Sequence, residues 1–219
     1  MTTVLLVGLA VACSKKDDAD KSSGSAAHKG DLGAKHGGIP TSREGQMFLL
    51  GEKLSQAAML NGLGSPDLVA RTYKAASLVA KVTLKTELAP LPVPTGDNAR
   101  DGAAGMHYLL KQQGADLGRQ ISTSFGETSA ATYELAVKIN MLPRLYTDDP
   151  AHKMADTMAD VFARVSARAK LPPSAMAPII AKLKARAPVK EVSDMALALN
   201  KSLPVTIAEI YEKERPKQR

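Results

Sequence analysis

From residue 41 onward, apolar residues recur every three or four positions, and no segment alternates strictly between apolar and polar side chains over more than a few residues. Spacing near 3.6 residues places apolar side chains on one face of a helix, whereas a half-buried strand requires alternation. The pattern therefore predicts an all-α fold, a bundle of about seven helices. At 219 residues the chain is long enough for a self-supporting core, and with 4% aromatic residues and no Trp that core must be mainly aliphatic.

Capping residues and prolines predict the first two helices. Thr41 and Glu44 fit a capping box that starts the first helix, which ends at Asn61-Gly62. Ser65 and Pro66 fit the start of the second helix, because Pro is favoured in a first turn. The loop between them is short, so we expect an antiparallel hairpin. The residues expected to face inward are Met47, Leu50, Leu54 and Ala58 on the first helix, and Leu68, Thr72, Ala75, Val79 and Val82 on the second.

A proline-rich connection at residues 87–98 precedes a third helix, expected from about Ala99 to Phe125. Its glycines cost about 1 kcal/mol each relative to Ala, so something must offset that cost. Close packing against another helix is the favoured explanation, and a backbone that lines a bound ligand is the alternative. The inward residues are expected to be Ala103, Met106, Leu110, Leu117 and Ile121, and the candidates for a ligand pocket are Gly102, Gly105, Met106 and His107.

The second half of the chain predicts further helices of the same kind. Their expected starts are a capping box of Ser124 and Glu127, the Asp149-Pro150 pair, and Pro172-Pro173-Ser174. Pro143 is expected to end or kink a helix, and Pro204 to separate a last short helix from the one before it. The inward residues are expected to be Tyr133, Val137, Met141 and Leu145, then Met154, Met158, Val161 and Val165, then Met176, Ile179 and Leu183, and finally Val192, Met195, Leu199 and Leu203. Residues 48–60 and 133–145 are faintly alike, which leaves open that the bundle consists of two similar halves.

The N-terminal residues predict where the protein is located in the cell. Val4 to Ala12 form an apolar run of nine residues, about 14 Å as a helix and too short to cross a bilayer. The end of this run and the next residue, Leu9-Ala10-Val11-Ala12-Cys13, resemble the lipobox of bacterial lipoproteins. This resemblance implies that residues 1–12 are a signal peptide, and that Cys13 becomes the first residue and carries diacylglycerol and palmitate. The protein would then be anchored in the cell envelope and face the periplasm. Ser14 favours the outer membrane, by resemblance to enterobacterial lipoproteins.

Residues 13–40 follow as a tether. Beyond Cys13 the segment combines charged residues with Ser, Gly and Ala and has almost no large apolar side chain, so it predicts a flexible linker with a root-mean-square span of about 25 to 30 Å. The helical domain is expected to comprise residues 41–215.

Basic residues are concentrated in one part of the chain. Between Val161 and Lys190 there are seven bases and no acid, within a chain of net charge +7. Such a field favours an anionic partner, which could be lipid head groups, an envelope polysaccharide or an acidic protein surface. Nucleic acid is not expected at the predicted location. The alternative is that the bases cover solvated helix faces. The candidate set, called the basic set below, is Arg164, Arg168, Lys170, Lys182, Lys184, Arg186 and Lys190.

Known catalytic and metal-binding motifs are missing from the sequence, including HExxH, GxxxxGK[ST], GxSxG, CxxCH and paired cysteines. No catalytic residue, metal ligand or cofactor is therefore assigned. His107 and His152 lie near methionines, and a buried His and Met on facing helices could ligate haem or copper, but a single His on a helix is more often exposed or hydrogen-bonded. An enzyme is not expected. Two hypotheses result: a lipid-anchored interaction or scaffold domain that binds an anionic partner, or a carrier with a pocket for a small ligand or cofactor beside the glycine-rich third helix.

Overall fold

The computed structural model describes residues 39–93 and 95–214, and these belong to one compact unit. They form an all-α bundle, as predicted, and contain no strand. The helices are α1 (Arg43–Gly62), α2 (Pro66–Leu84), α3 (Asn98–His107), α4 (Gly114–Phe125), α5 (Glu127–Thr147), α6 (Ala155–Arg168), α7 (Pro173–Lys184) and α8 (Val189–Glu214), with a π-helical segment, Tyr108–Gln113, between α3 and α4. The predictions for residues 1–38, including the lipobox and most of the tether, lie outside the described residues.

Helices α1 and α5 form the centre of the bundle. Helix α5 packs against α1, α4, α6 and α8, and its side chains are buried on more than one face. A helix surrounded in this way needs apolar residues on several sides, and for that reason α5 carries no single apolar stripe. One apolar cluster joins α1 and α2 to Leu109 and α4, and the other surrounds α5 with α6, α7 and α8. Whether these clusters mark two similar halves stays a prediction.

Two predicted helix starts are displaced. The N-cap of α1 is Ser42 and not Thr41, and its Oγ accepts a hydrogen bond from the backbone N–H of Gly45 at 3.1 Å. Ser124 lies inside α4, so it forms no capping box with Glu127. A single residue, Gly126, separates α4 from α5, and it has φ 84° and ψ 178°. This conformation is open essentially only to glycine, and it allows the chain to turn within one residue.

Internal prolines do not end helices here. Pro143 lies inside α5, and α8 continues through Pro204 to Glu214, so the predicted separate last helix is part of α8. Buried Leu203 and Ile207 flank Pro204 on the same helix. Their burial offsets the cost of a proline, about 3 kcal/mol relative to Ala in a helix interior.

In the second half of the chain, the predicted helix starts and inward-facing residues are confirmed only in part. Helix α7 begins at Pro173, and the buried Met176, Ile179 and Leu183 confirm its predicted face. Helix α6 begins at Ala155 and not at Asp149-Pro150, where the Asp149 Oδ2 accepts from the Met154 N–H at 2.6 Å. The predicted inward residues Leu145 and Met154 are exposed.

The buried face of α2 differs from the predicted one. Leu68 and Val82 are exposed, and of the predicted stripe only Val79 is fully buried. The buried side chains of α2 are Val69, Tyr73, Ala76, Val79 and Ala80. Tyr73 helps to set this rotation, because its hydroxyl donates to the Ala89 carbonyl in the connection that follows α2, at 2.5 Å.

The π segment explains the inward face of the third helix. Buried positions recur every four residues, at Gly105, Leu109, Gln113, Leu117 and Ile121. An α-helix repeats every 3.6 residues, so a wider turn is needed to keep these five positions on one side. Leu117 and Ile121 were predicted correctly, but the predicted Ala103 is exposed and Met106 and Leu110 are only half-buried.

Candidate functional site

The four predicted pocket residues lie at the end of α3 that contacts α1. A Cβ atom at Gly105 would lie 1.5 Å from the Asn61 Nδ2, and one at Gly102 would lie 3.0 Å from the Asn61 carbonyl oxygen. The side chain of Met106 is half-buried near Gly62, and His107 is exposed. Gly102 and Gly105 therefore let α3 approach α1, as the packing explanation expects.

A groove does lie beside the glycine-rich helix, but further along it. It has a volume of about 430 Å³ and runs between α4 and α5. Leu54, Tyr133 and Val137 provide an apolar floor, and Gly114 and Gly118 line the α4 side. We call this the α4–α5 groove. Its sequence signal is the four-residue spacing of Gly114 and Gly118, which identifies one wall but not the residues opposite.

Tyr133 and the two glycines determine the depth of the groove. The Tyr133 hydroxyl donates to the Gly114 carbonyl at 3.2 Å, which holds the ring beside α4. Burial raises the pKa of Tyr133, which therefore stays a neutral hydrogen-bond donor. A Cβ atom at Gly118 would meet nothing closer than the Tyr133 Cε1, at 3.9 Å. The space above Gly118 is thus open, and a larger residue there would fill it.

Charged side chains form the rim of the α4–α5 groove. Arg168, from the end of α6, donates through Nε to Glu127 at 3.0 Å and through Nη1 to Glu134 at 2.9 Å. The hydrogen bond from Arg168, and then its charge, hold the pKa of Glu127 below the usual value of a Glu. Arg119 also lines the groove and pairs with Asp116. The groove therefore combines an apolar floor with a rim of both charges.

Acids from other parts of the chain pair with four members of the basic set. Besides Arg168, Lys182 pairs with Glu191, Arg186 with Asp156 at 2.7 Å, and Lys190 with Asp194 at 2.6 Å. All five acids lie outside the acid-free stretch that singled out the set. The seven bases and these five acids together carry a net charge of +2. Among the described residues, Arg164, Lys170 and Lys184 form no ion pair.

Lys170 lines a second cavity, of about 470 Å³, where α1 and α5 begin. Arg43 and Glu44 also line it, and Glu44 is buried with its Oε1 2.9 Å from the Arg43 Nε. The Ser129 hydroxyl donates to the same Glu44 oxygen at 3.3 Å. Lys170, which forms no ion pair with any described residue, thus lines the same cavity as two paired acids, Glu44 and Glu127.

Two further findings concern the described part of the chain. Within residues 39–93 and 95–214, no three His, Cys, Asp or Glu side chains lie close enough together to hold a metal ion. In the same part, no helix has both the length and the hydrophobicity of a membrane span. No family model, curated protein or solved structure matches the chain.

Proposed function

We propose that the chain is a lipid-anchored cell-envelope protein whose helical domain carries an amphipathic small molecule in the α4–α5 groove. The observation that supports this is the groove itself, an open space of about 430 Å³ over Leu54, Tyr133 and Val137 with a charged rim. Small-molecule sites commonly have volumes of about 300 to 1,000 Å³, apolar walls and a few polar groups that orient the ligand.

The rim indicates the kind of ligand. An apolar body fits the floor, and a polar or charged head group would meet Arg168, Glu127 and Glu134 at the mouth. Binding is favoured over catalysis because the hydroxyls in the groove are not activated. The Tyr133 hydroxyl donates to the Gly114 carbonyl. The Ser122 hydroxyl donates to Glu127 at 3.3 Å, but Arg168 pairs with that carboxylate and lowers its pKa, so Glu127 is a poor general base.

A fluorescent probe tests the groove. We expect 1-anilinonaphthalene-8-sulfonate, which has an apolar ring system and one anionic group, to bind the full-length protein with one site. Gly118→Leu places a large side chain in the open space, and the affinity should fall at least about tenfold through lost apolar contact. Ala104→Leu adds the same side chain at an exposed position of α3 and should leave the affinity unchanged. Equal affinities of the two variants would refute the groove as the site.

Material from the native host tests the ligand class. Native mass spectrometry of the protein, with metal analysis, should detect a bound small organic molecule that Gly118→Leu loses and Ala104→Leu retains. A molecule that both variants retain would place the ligand elsewhere.

The membrane anchor is a separate part of this proposal and depends on the lipobox resemblance at Leu9-Ala10-Val11-Ala12-Cys13. Multiple acyl chains on one residue give stable anchoring, at about 0.8 kcal/mol for each buried CH₂. The intact mass of protein extracted from membranes should show loss of residues 1–12 and a lipid on Cys13, and Cys13→Ser should prevent both. Finding residues 1–12 still attached would refute the anchor.

The second candidate function is binding of an anionic partner, and the unpaired Lys170 is the observation that favours it. Lys170 lines the cavity where α1 and α5 begin, and Arg164 and Lys184 are also free of ion pairs in the described part of the chain. In the chain with Cys13→Ser, which removes the acyl anchor, changing these three bases to Glu should reduce retention on envelope fractions at low salt. Changing the paired Lys182 and Lys190 should have little effect, and equal losses would refute a role for the unpaired bases.

A further inference from the structure

We infer that the outer side of α2, with the groove between α1, α2 and α8, is a docking surface for an anionic lipid bilayer. We call it the α2 face. The inference rests on the proposed lipid anchor for its setting, and it involves no residue of the α4–α5 groove. It also differs from the basic set, which lies on α6, on α7, at the start of α8 and in the loops between them.

Apolar side chains of α2 remain exposed beside its packed side. Leu68, Leu78 and Val82 are 44%, 55% and 43% exposed. Leu68, Ala75 and Val82 are spaced by seven residues, and together with Leu78 they cover a sector about 80° wide, at about 100° per residue. This sector adjoins the side that packs on α1. Contiguous exposed apolar residues on one helix mark an interaction surface more often than scattered ones do.

The apolar surface continues into a groove of about 410 Å³ between α1, α2 and α8. Leu49, Leu78 and Pro204 line it from the three helices. On α8, Leu197, Lys201 and Val205 follow at four-residue spacing, with Leu197 and Val205 exposed and Lys201 in the groove wall. Two helices thus present apolar side chains on either side of one concave surface.

The tether leaves the domain at this surface. Ile39 and Pro40, the first described residues, line the same groove. The chain that connects them to Cys13 is about 26 residues long, and the flexible linker predicted from its composition would span about 25 to 30 Å. An anchor at Cys13 would therefore hold the α2 face within reach of the bilayer to which it is attached.

The charges of α2 complement an anionic surface. Between Pro66 and Lys85 there are four bases, all exposed, and one acid, a net charge of +3. The bases are Arg71, Lys74, Lys81 and Lys85. Lys74 and Lys81 adjoin the exposed apolar sector, Arg71 lies within it, and Lys85 follows the last residue of α2. Lys81 pairs with the exposed Glu87, whereas Lys74 forms no ion pair within the described residues. Apolar residues flanked by Lys and Arg are the pattern of a helix that lies in the bilayer interface, and each base near an anionic surface contributes about 1 kcal/mol.

Vesicle binding tests the α2 face in a protein that lacks the acyl anchor. The parent is the full-length chain with Cys13→Ser, which removes the acyl anchor. It should sediment with vesicles of phosphatidylglycerol and phosphatidylethanolamine, and added salt should weaken the binding. Leu78→Glu with Val82→Glu should reduce the partition coefficient at least about tenfold, because two apolar contacts are replaced by repulsive charges.

The control has the same chemistry on another side of the molecule. Leu145→Glu with Met154→Glu also places two acids at exposed apolar positions, which are 48% and 50% exposed near the turn between α5 and α6. This variant should bind vesicles nearly as the parent does. Equal losses in both double variants, no loss in either, or equal binding of the parent to neutral phosphatidylcholine vesicles would overturn the inference. Binding of the fluorescent probe to the α4–α5 groove should be unchanged in both, so failure of the ligand proposal is measured separately.

Discussion

Gly51 of α1 lies directly against the main chain of Tyr133 of α5. A Cβ atom at residue 51 would be 2.5 Å from the Tyr133 carbonyl oxygen and 3.1 Å from the Ala136 Cβ. Neither neighbour can rotate away, because one is backbone and the other is the first side-chain atom of a packed helix. The distance between the two central helices is therefore set by the missing side chain at Gly51.

Gly51→Ala should lower the free energy of unfolding by about 1 to 3 kcal/mol, since overpacking forces α1 and α5 apart. Gly118→Ala is the matched control, because its Cβ atom would lie 3.9 Å from the nearest side chain. That substitution should raise the free energy of unfolding by up to about 1 kcal/mol through better helix propensity. Urea unfolding followed by circular dichroism measures both. Equal effects of the two substitutions would contradict a close approach at Gly51.

The sequence predicted the fold class and many helix faces, but not this contact. Spacing alone predicts that Met47, Leu50 and Leu54 lie in the core, where they are fully buried, because helical period is a local property. Gly51 carries no such signal: whether a glycine meets a neighbouring backbone depends on which helix packs there. The predicted buried face of α2 is wrong for a similar reason, since the Tyr73 side chain is oriented by the carbonyl of Ala89, 16 residues away.

The π segment predicts an asymmetric response to changes in length. Deleting the exposed Lys111 leaves the buried positions spaced by three or four residues, which an ordinary α-helix accommodates. The free energy of unfolding should then stay within about 1 kcal/mol of the parent. Inserting one Ala after Lys111 should rotate the buried Leu117 and Ile121 away from the core and cost more than about 2 kcal/mol. Chemical unfolding measures the free energy of unfolding of both variants. A larger loss of stability from the deletion than from the insertion would contradict a π segment at Tyr108–Gln113.

Asp101 holds the end of the connection between α2 and α3. Its Oδ1 accepts from the Thr95 hydroxyl at 2.7 Å, and its Oδ2 accepts from the backbone N–H groups of Thr95 and Gly96 at 2.8 and 2.9 Å. These hydrogen bonds, led by that of the Thr95 side chain, lower the pKa of Asp101.

Asp101→Ala should therefore release the connection and speed cleavage by proteinase K within residues 85–97, at least about threefold, as local opening becomes easier. Limited proteolysis with mass spectrometry of the fragments measures this. Asp67→Ala removes another exposed acid, from the first turn of α2, and should leave the rate unchanged. Cleavage at the same rate in both variants would argue against Asp101 as the anchor of the connection.

The basic set owes its local excess of positive charge partly to acids that lie elsewhere in the sequence. The stretch from Val161 to Lys190 contains no acid, yet Arg168 meets Glu127 and Glu134, which lie 41 and 34 residues earlier. Arg186 likewise meets Asp156, 30 residues earlier. Net charge within a segment describes solvated chains well, but in a folded bundle the partners of a charge come from whichever helix packs beside it.

The Arg168 pair predicts a specific pH dependence. Arg168 lowers the pKa of Glu127 in the folded state, so the stabilisation from this pair is fully present above the unfolded pKa of a Glu, about 4.3, and is lost as the pH falls through the lower folded value. The difference in unfolding midpoint between the parent and Arg168→Gln should therefore be largest at neutral pH and vanish in strong acid. In NMR titrations, the pKa of Glu127 should rise towards its ordinary value in Arg168→Gln. It should stay low in the control Arg119→Gln, because Arg119 of the parent pairs with Asp116 and not with Glu127. An unshifted Glu127 in Arg168→Gln would mean that the ion pair at the mouth of the α4–α5 groove does not form in solution, and the head-group site proposed there would lose its ordering contact.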